Sequence, residues 1–165
     1  MIDSYHGNKK DEGKASVLKR LKQRDGELRC IVSTVAFGMG IDIPDIYRVI
    51  IWGCPSTIDS FWQECGRAGR DGITRSITTM YALRNKRKHA DESMKELLQK
   101  AENESVCVRH FILNFLRLPG MELPPTNVSV CTLGCKECEC AGCLCCNVCR
   151  KKCPCRKEIN EPWLC

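Results

Sequence analysis

The stretch QECGRAGRDG, Gln63 to Gly72, sets two arginines, Arg67 and Arg70, three residues apart at the end of an amphipathic helix. Ile58, Phe61, Trp62 and Cys65 recur at helical spacing ahead of it, and Pro55, Ser56 and Thr57 mark its start, with Asp59 three residues after Ser56. Guanidinium groups so placed suit phosphate oxygens, which accept paired N–H donors. A plainer use stands beside this one: arginines at helix ends commonly pair with surface carboxylates. Upstream lies STVAFGMGIDIPD, Ser33 to Asp45, an apolar strand that breaks into a glycine-containing loop and reaches the carboxylate of Asp42. Gly38 and Gly40 let that backbone turn sharply and approach a ligand, while Ser33 and Thr34 offer hydroxyls at the strand end. Phe37 and Met39 read as core residues, and Asp42 alternatively as a turn or cap residue.

Around these stretches the pattern is α/β. Met1 to Tyr5 finishes a strand, and Lys10 to Arg24 carries Val17, Leu18 and Leu21 on one side of a basic helix. Arg29 to Ala36, Arg48 to Trp52 and Ser76 to Leu83 are short apolar runs, the character of buried parallel strands, so a parallel sheet with helices on its faces is expected. Asn85 to Glu104 is charged almost throughout, with Met94, Leu97 and Leu98 available to dock it, and reads as a largely solvated connecting helix. Val108, Phe111, Ile112, Phe115 and Leu116 form an apolar stripe closed by Pro119 and Gly120.

The chain has 165 residues, room for one ordinary domain and a small appendage, and a formal net charge of +6, too modest to identify or exclude nucleic acid as a partner. No apolar stretch has the length of a membrane span, and MIDSYHGNKK lacks the apolar core of a signal peptide, so a soluble, intracellular protein is expected. Of 15 cysteines, ten crowd between Cys131 and Cys155. Clustering of that kind favours metal thiolates in a reducing compartment, and an odd total leaves any all-disulfide scheme with an unpaired thiol. The C-x-C pairs Cys138/Cys140, Cys143/Cys145 and Cys153/Cys155 keep a second metal cluster open as an alternative to surplus free thiols.

The two long motifs resemble motifs V and VI in the second motor lobe of RecQ-type DNA helicases, and YHG, Tyr5 to Gly7, resembles another motif of that family. The similarity extends over about residues 1 to 150, and the wording of both long motifs is highly specific. It implies a partial RecA-like lobe at 1–84, a charged linker helix at 85–104, a small helical Cys-rich zinc-binding subdomain at 105–155 and a tail at 156–165. It assigns Arg70 as an arginine finger, with Arg67 beside it and Gln63 facing the same cleft. Gly38, Gly40, Asp42, Gly66 and Gly69 fall around the ATP site, Asp42 contacting the nucleotide sugar or orienting a motif VI arginine. Tyr5, His6, Ser33 and Thr34 fall at the DNA-facing end.

By the same resemblance, Cys107 is the first of four zinc ligands and CNVC, Cys146 to Cys149, supplies a C-x-x-C pair. Cys131 is taken as the fourth, with Cys135, Cys138, Cys143 and Cys145 competing. The cofactors implied are ATP with Mg and Zn; the partners are DNA, bound without regard to sequence, and a first motor lobe. A GxxxxGK(S/T) phosphate loop and an acidic metal-binding motif belong to that first lobe and do not occur here, so the chain by itself is expected not to hydrolyse ATP. The activity implied is 3′ to 5′ unwinding of duplex DNA in repair or recombination, in the nucleus. A catalytically silent DNA- or helicase-binding module is the alternative, and a metal-buffering protein a more distant one.

Overall fold

The structure is a computed structural model describing the chain apart from residues 24–25, 35–40, 44, 72–75, 83, 123–144 and 153–165. Its elements, in order, are β1 (Ile2–Tyr5), α1 (Asp11–Leu21), β2 (Cys30–Ser33), β3 (Arg48–Trp52), α2 (Ile58–Cys65), β4 (Ile77–Tyr81), a 3-10 turn (Arg84–His89), α3 (Glu92–Glu102), α4 (Val108–Phe115) and α5 (Asn147–Lys152). They group into two compact units, Met1–Val49 with Gln63–Thr78 and Ile50–Trp62 with Thr79–Cys165.

In the first unit β1 and β2 pair in parallel, Ile2 opposite Cys30 through Tyr5 opposite Ser33. A parallel pair needs a crossover, and α1 supplies it. Val17 points from α1 into a core shared with Tyr5, Leu28 and Ile43, against which Leu18, Leu21, Ile31, Ile41 and Ile46 pack. Asp11 and Glu12 in the first turn and Lys19 and Arg20 in the last complement the helix dipole. Arg20 and Lys9 both reach Asp3 on β1, at 2.8 and 2.9 Å, fixing the strand to the helix that follows it. The Lys9 contact, then the Ser4 amide, hold the Asp3 carboxyl down at about 2.

β3 and β4 form a second two-stranded sheet. Ile77 N donates to Tyr47 O and Gly53 N to Tyr81 O, a climb in the same sense along both strands, as in a parallel pair. The α/β class is as expected, but among the described residues the strands form two two-stranded sheets rather than one, and Val32, Ile50 and Trp52 are exposed where buried strands were expected.

In the second unit Ile58, Phe61, Met94, Leu97, Leu98, Ile112 and Val148 are buried. The charged stretch departs from one continuous helix: a 3-10 turn comes first, and α3 starts afresh after Asp91. Asp91 is the reason. Its carboxylate accepts from Met94 N at 2.8 Å, satisfying an amide that no earlier helical turn can serve. That bond, then the Ser93 hydroxyl, hold the Asp91 carboxyl below its ordinary range. Because the folded-state pKa is depressed, the stabilisation is present above the unfolded value and is lost as pH falls through the folded one. Asp91→Ala is expected to lower stability by about 1 kcal/mol in urea denaturation at neutral pH, with the difference from wild type shrinking in acid.

Candidate functional site

Two constellations stand out, one in each unit. The first, in the first unit, starts at the carboxyl end of α2, a helix whose own start is capped by Thr57 Oγ1 accepting from Ser60 N at 3.1 Å. At the other end the helix tightens, Arg67 N donating to Glu64 O and Ala68 N to Cys65 O. Gly69 then takes a left-handed φ of 72° and donates its amide to Ile46 O at 3.0 Å. A side chain at position 69 would be strained in that conformation, and the reversal it allows turns Arg70 back over the helix end. Arg70 Nε donates to Gly66 O at 3.1 Å, and Nη1 donates to Ile41 O at 3.0 Å and to Asp42 Oδ1 at 3.1 Å. The two long motifs are thus joined through a single guanidinium.

Ile41, Ile43, Ile46, Arg67 and Arg70 line a shallow depression, an apolar floor under two cations. Burial, and then Arg70, depress the ionisation of Arg67, while Glu64 opposes them. Burial raises the Glu64 carboxyl against the pull of Arg67. Each cation has a carboxylate neighbour, Asp42 on Arg70 and Glu64 near Arg67, yet the two guanidiniums still repel one another, and an anion between them would relieve that repulsion. Gln63 is exposed, and Gly66 contributes a carbonyl that holds Arg70. Gly38 and Gly40 lie outside the described residues.

At the carboxyl ends of β1 and β2, His6, Ser33 and Thr34 are exposed, and Thr34 N donates to Tyr5 O at 3.2 Å. Tyr5 itself turns into the core. The expected DNA-facing group is therefore gathered at one end of a parallel pair, with the tyrosine ring on its inner side. Glu64 and Ile46 were not singled out from sequence. Glu64, one turn before Arg67, carried a readable signal; the Ile46 carbonyl carried none.

The second constellation is built of thiols. Cys107 is the N-cap of α4, its Sγ accepting from His110 N at 3.4 Å. Cys145 and Cys146 precede α5, and Cys149 lies on it, its amide donating to Cys146 Sγ at 3.5 Å. Val148, 1% exposed, anchors that short helix. The Sγ atoms of Cys107, Cys145, Cys146 and Cys149 all lie within 4.8 Å of one another, and the Cys107 and Cys145 sulfurs are 3.4 Å apart. Zn–S bonds of about 2.3 Å in a tetrahedron need sulfurs about 3.8 Å apart, so these four thiols fit Zn²⁺ after small adjustments. Three of the expected ligands are in this set. Cys145 completes it, and Cys131 lies outside the described residues.

Burial opposes ionisation of Cys107, but the His110 amide and contacts from Cys145, Cys149 and Cys146 outweigh it and lower that thiol. Burial and then the Cys107 sulfur push Cys145 up to about 12 and raise Cys149 as well. The cluster thus favours ionisation of Cys107 over that of Cys145 and Cys149, and a bound cation would favour ionisation of them all.

The family model for the helicase conserved C-terminal domain matches residues 1–72. The ATP-dependent helicase wrn-1 of Caenorhabditis elegans is 38% identical over 126 residues, 67% of this chain and 12% of that protein. The RecQ-like DNA helicase blm-1 of the same organism is 33% identical over 110 residues, 67% of this chain and 10% of that protein. The chain belongs to the RecQ-type helicases. Mouse bifunctional 3'-5' exonuclease/ATP-dependent helicase WRN is 46% identical over 79 residues, 48% of this chain and 6% of that protein. The chain thus spans only about a tenth of the length of these RecQ-type relatives. Among the described residues no helix is long and apolar enough to cross a membrane.

Proposed function

We propose that this chain is the arginine-bearing part of the second motor lobe of an ATP-dependent DNA helicase, followed by a structural zinc subdomain. The observation that carries the reading is the meeting of Arg70 with Asp42 beside Arg67, over an apolar depression. Phosphoryl transfer leaves little covalent work to protein side chains. What it requires is charge placed against the departing phosphate, and a guanidinium delivered from a neighbouring lobe provides it. Arg70 is the finger. Arg67 contacts phosphate or keeps the turn in place, and Gln63 faces the cleft from the exposed side of α2.

ATP and Mg are completed by a first motor lobe carrying the phosphate loop, without which the chain does not hydrolyse ATP. Gly38 and Gly40 let the loop after β2 lie close to the nucleotide. His6, Ser33 and Thr34, with the Tyr5 backbone, contact the DNA backbone, giving sequence-independent and salt-sensitive binding to single strands and junctions. Zn²⁺, held by Cys107, Cys145, Cys146 and Cys149, would supply cross-linking of α4 to α5 and no catalysis. Work on duplex DNA in repair or recombination places the protein in the nucleus.

The test is directional unwinding. The chain is fused behind the preceding helicase segment of the wrn-1 relative and offered duplexes with a 3′ or a 5′ single-stranded tail. Separation of the 3′-tailed substrate alone supports the proposal; preference for the 5′ tail, or DNA binding without any unwinding, contradicts it.

A further inference from the structure

Arg70 is not aimed at open solvent. Its guanidinium is shared among Gly66 O, Ile41 O and Asp42 Oδ1, acceptors from the helix-end turn and from the loop after β2. These engage Nε and Nη1, while Nη2 makes no hydrogen bond among the described residues. The backbone beneath is tied by Gly69 N to Ile46 O, so a new direction for Arg70 must come from its side chain. Asp42, 82% exposed, can swing away into water without cost to the core, and Arg70 is open enough, at 33%, for an anion to reach it.

We propose that Asp42 competes with phosphate for Arg70. It occupies the guanidinium while no anion is bound and is displaced when a polyphosphate enters the depression beside Arg67. This rests on the nucleotide reading of the Arg67/Arg70 site and concerns its regulation. A carboxylate presents to a guanidinium the same negative oxygen that a phosphate does, so the two are alternatives for one fork of donors. A polyphosphate can touch the open Nη2 edge first, but it gains paired donors that include Nη1 only by displacing Asp42, while Arg67, disfavoured by its cationic neighbour, attracts it from the start. The opposite role for Asp42, presenting Arg70 to the phosphate, predicts the opposite sign on removal of its charge.

The experiment measures tripolyphosphate binding to the whole 165-residue chain by titration calorimetry. The variants are Asp42→Asn, Arg67→Ala, Arg70→Ala and the Asp42→Asn/Arg70→Ala double. Asp42→Asn is expected to bind about five-fold tighter than wild type, the size of a surface ion pair relieved. In the Arg70→Ala background the same change is expected to do nothing, since no guanidinium remains to be released. Unchanged or weaker binding by Asp42→Asn overturns the proposal. So does a gain that persists undiminished without Arg70, which would make Asp42 a bare repelling charge. If neither Arg67→Ala nor Arg70→Ala alters tripolyphosphate binding, the nucleotide reading itself fails and the competition falls with it.

Discussion

Replacing Arg70 by alanine is expected to cut ATP hydrolysis by a motor completed with an upstream lobe by about a thousand-fold, with little change in thermal stability. The rate should fall because Arg67, the other cation lining the depression, is partly buried and cannot take the place of Arg70 without leaving its own. The stability should hold because Arg70 spends its donors on an exposed carboxylate and on two carbonyls at the surface, contacts that solvent can replace. Arg70→Lys should recover little, since an ammonium lacks the planar fork. Arg67→Ala is a different case. It strips Glu64 of the cation that offsets its burial, so melting temperature and rate should fall together. Side-by-side calorimetric melts and steady-state rates distinguish the two arginines.

Loss of metal carries the second large effect. Cys149→Ser, or chelation of the wild-type chain, is expected to release zinc and free α5 from α4, read as lost metal by elemental mass spectrometry and lost helical signal by circular dichroism. In small zinc domains the metal supplies about 10–16 kcal/mol of apparent binding free energy, far above what Val148 and the contacts of Lys151 and Lys152 with Glu104 contribute to holding a six-residue helix. Cys145→Ser should behave like Cys149→Ser, and Cys131→Ser should keep its zinc; the reverse pattern would restore Cys131 as the fourth ligand. Acid should act in the same direction as chelation. The thiols of Cys145 and Cys149 are raised, so protons compete with the metal and affinity should fall steadily as pH falls.

Much of the lobe could be read from the chain because its signals are local. β3 runs from Arg48 to Trp52 as the apolar run indicates, and Ile58 and Phe61 are buried where the helical spacing puts them. Trp62, read as part of the same stripe, is 38% exposed, since it lies at the margin of that face. What local pattern could not supply is the partner across a turn. Asp42 and Arg70 are 28 residues apart, and their contact depends on the Gly69 reversal and on the Ile46 carbonyl that receives its amide. The break ahead of α3 was written in Asp91, a strong N-cap, but the run of charge on both sides of it hid the boundary. The thiol set was ambiguous for the opposite reason: so many cysteines occur that spacing alone left several candidates for the fourth corner, and only the placement of α5 against Cys107 brings Cys145 forward. Tyr5 belongs to a motif by its wording and to the core by its burial, and sequence pattern does not separate the two.

The central claim is that this lobe delivers the cation that completes an ATP site formed elsewhere. The direct measurement is DNA-stimulated ATP hydrolysis by the first motor lobe of a RecQ-type relative, alone, joined to this chain, and joined to its Arg70→Ala form. Hydrolysis that appears only with the unaltered chain is the predicted result. Equal rates with and without Arg70, or no gain on adding the chain, would contradict it.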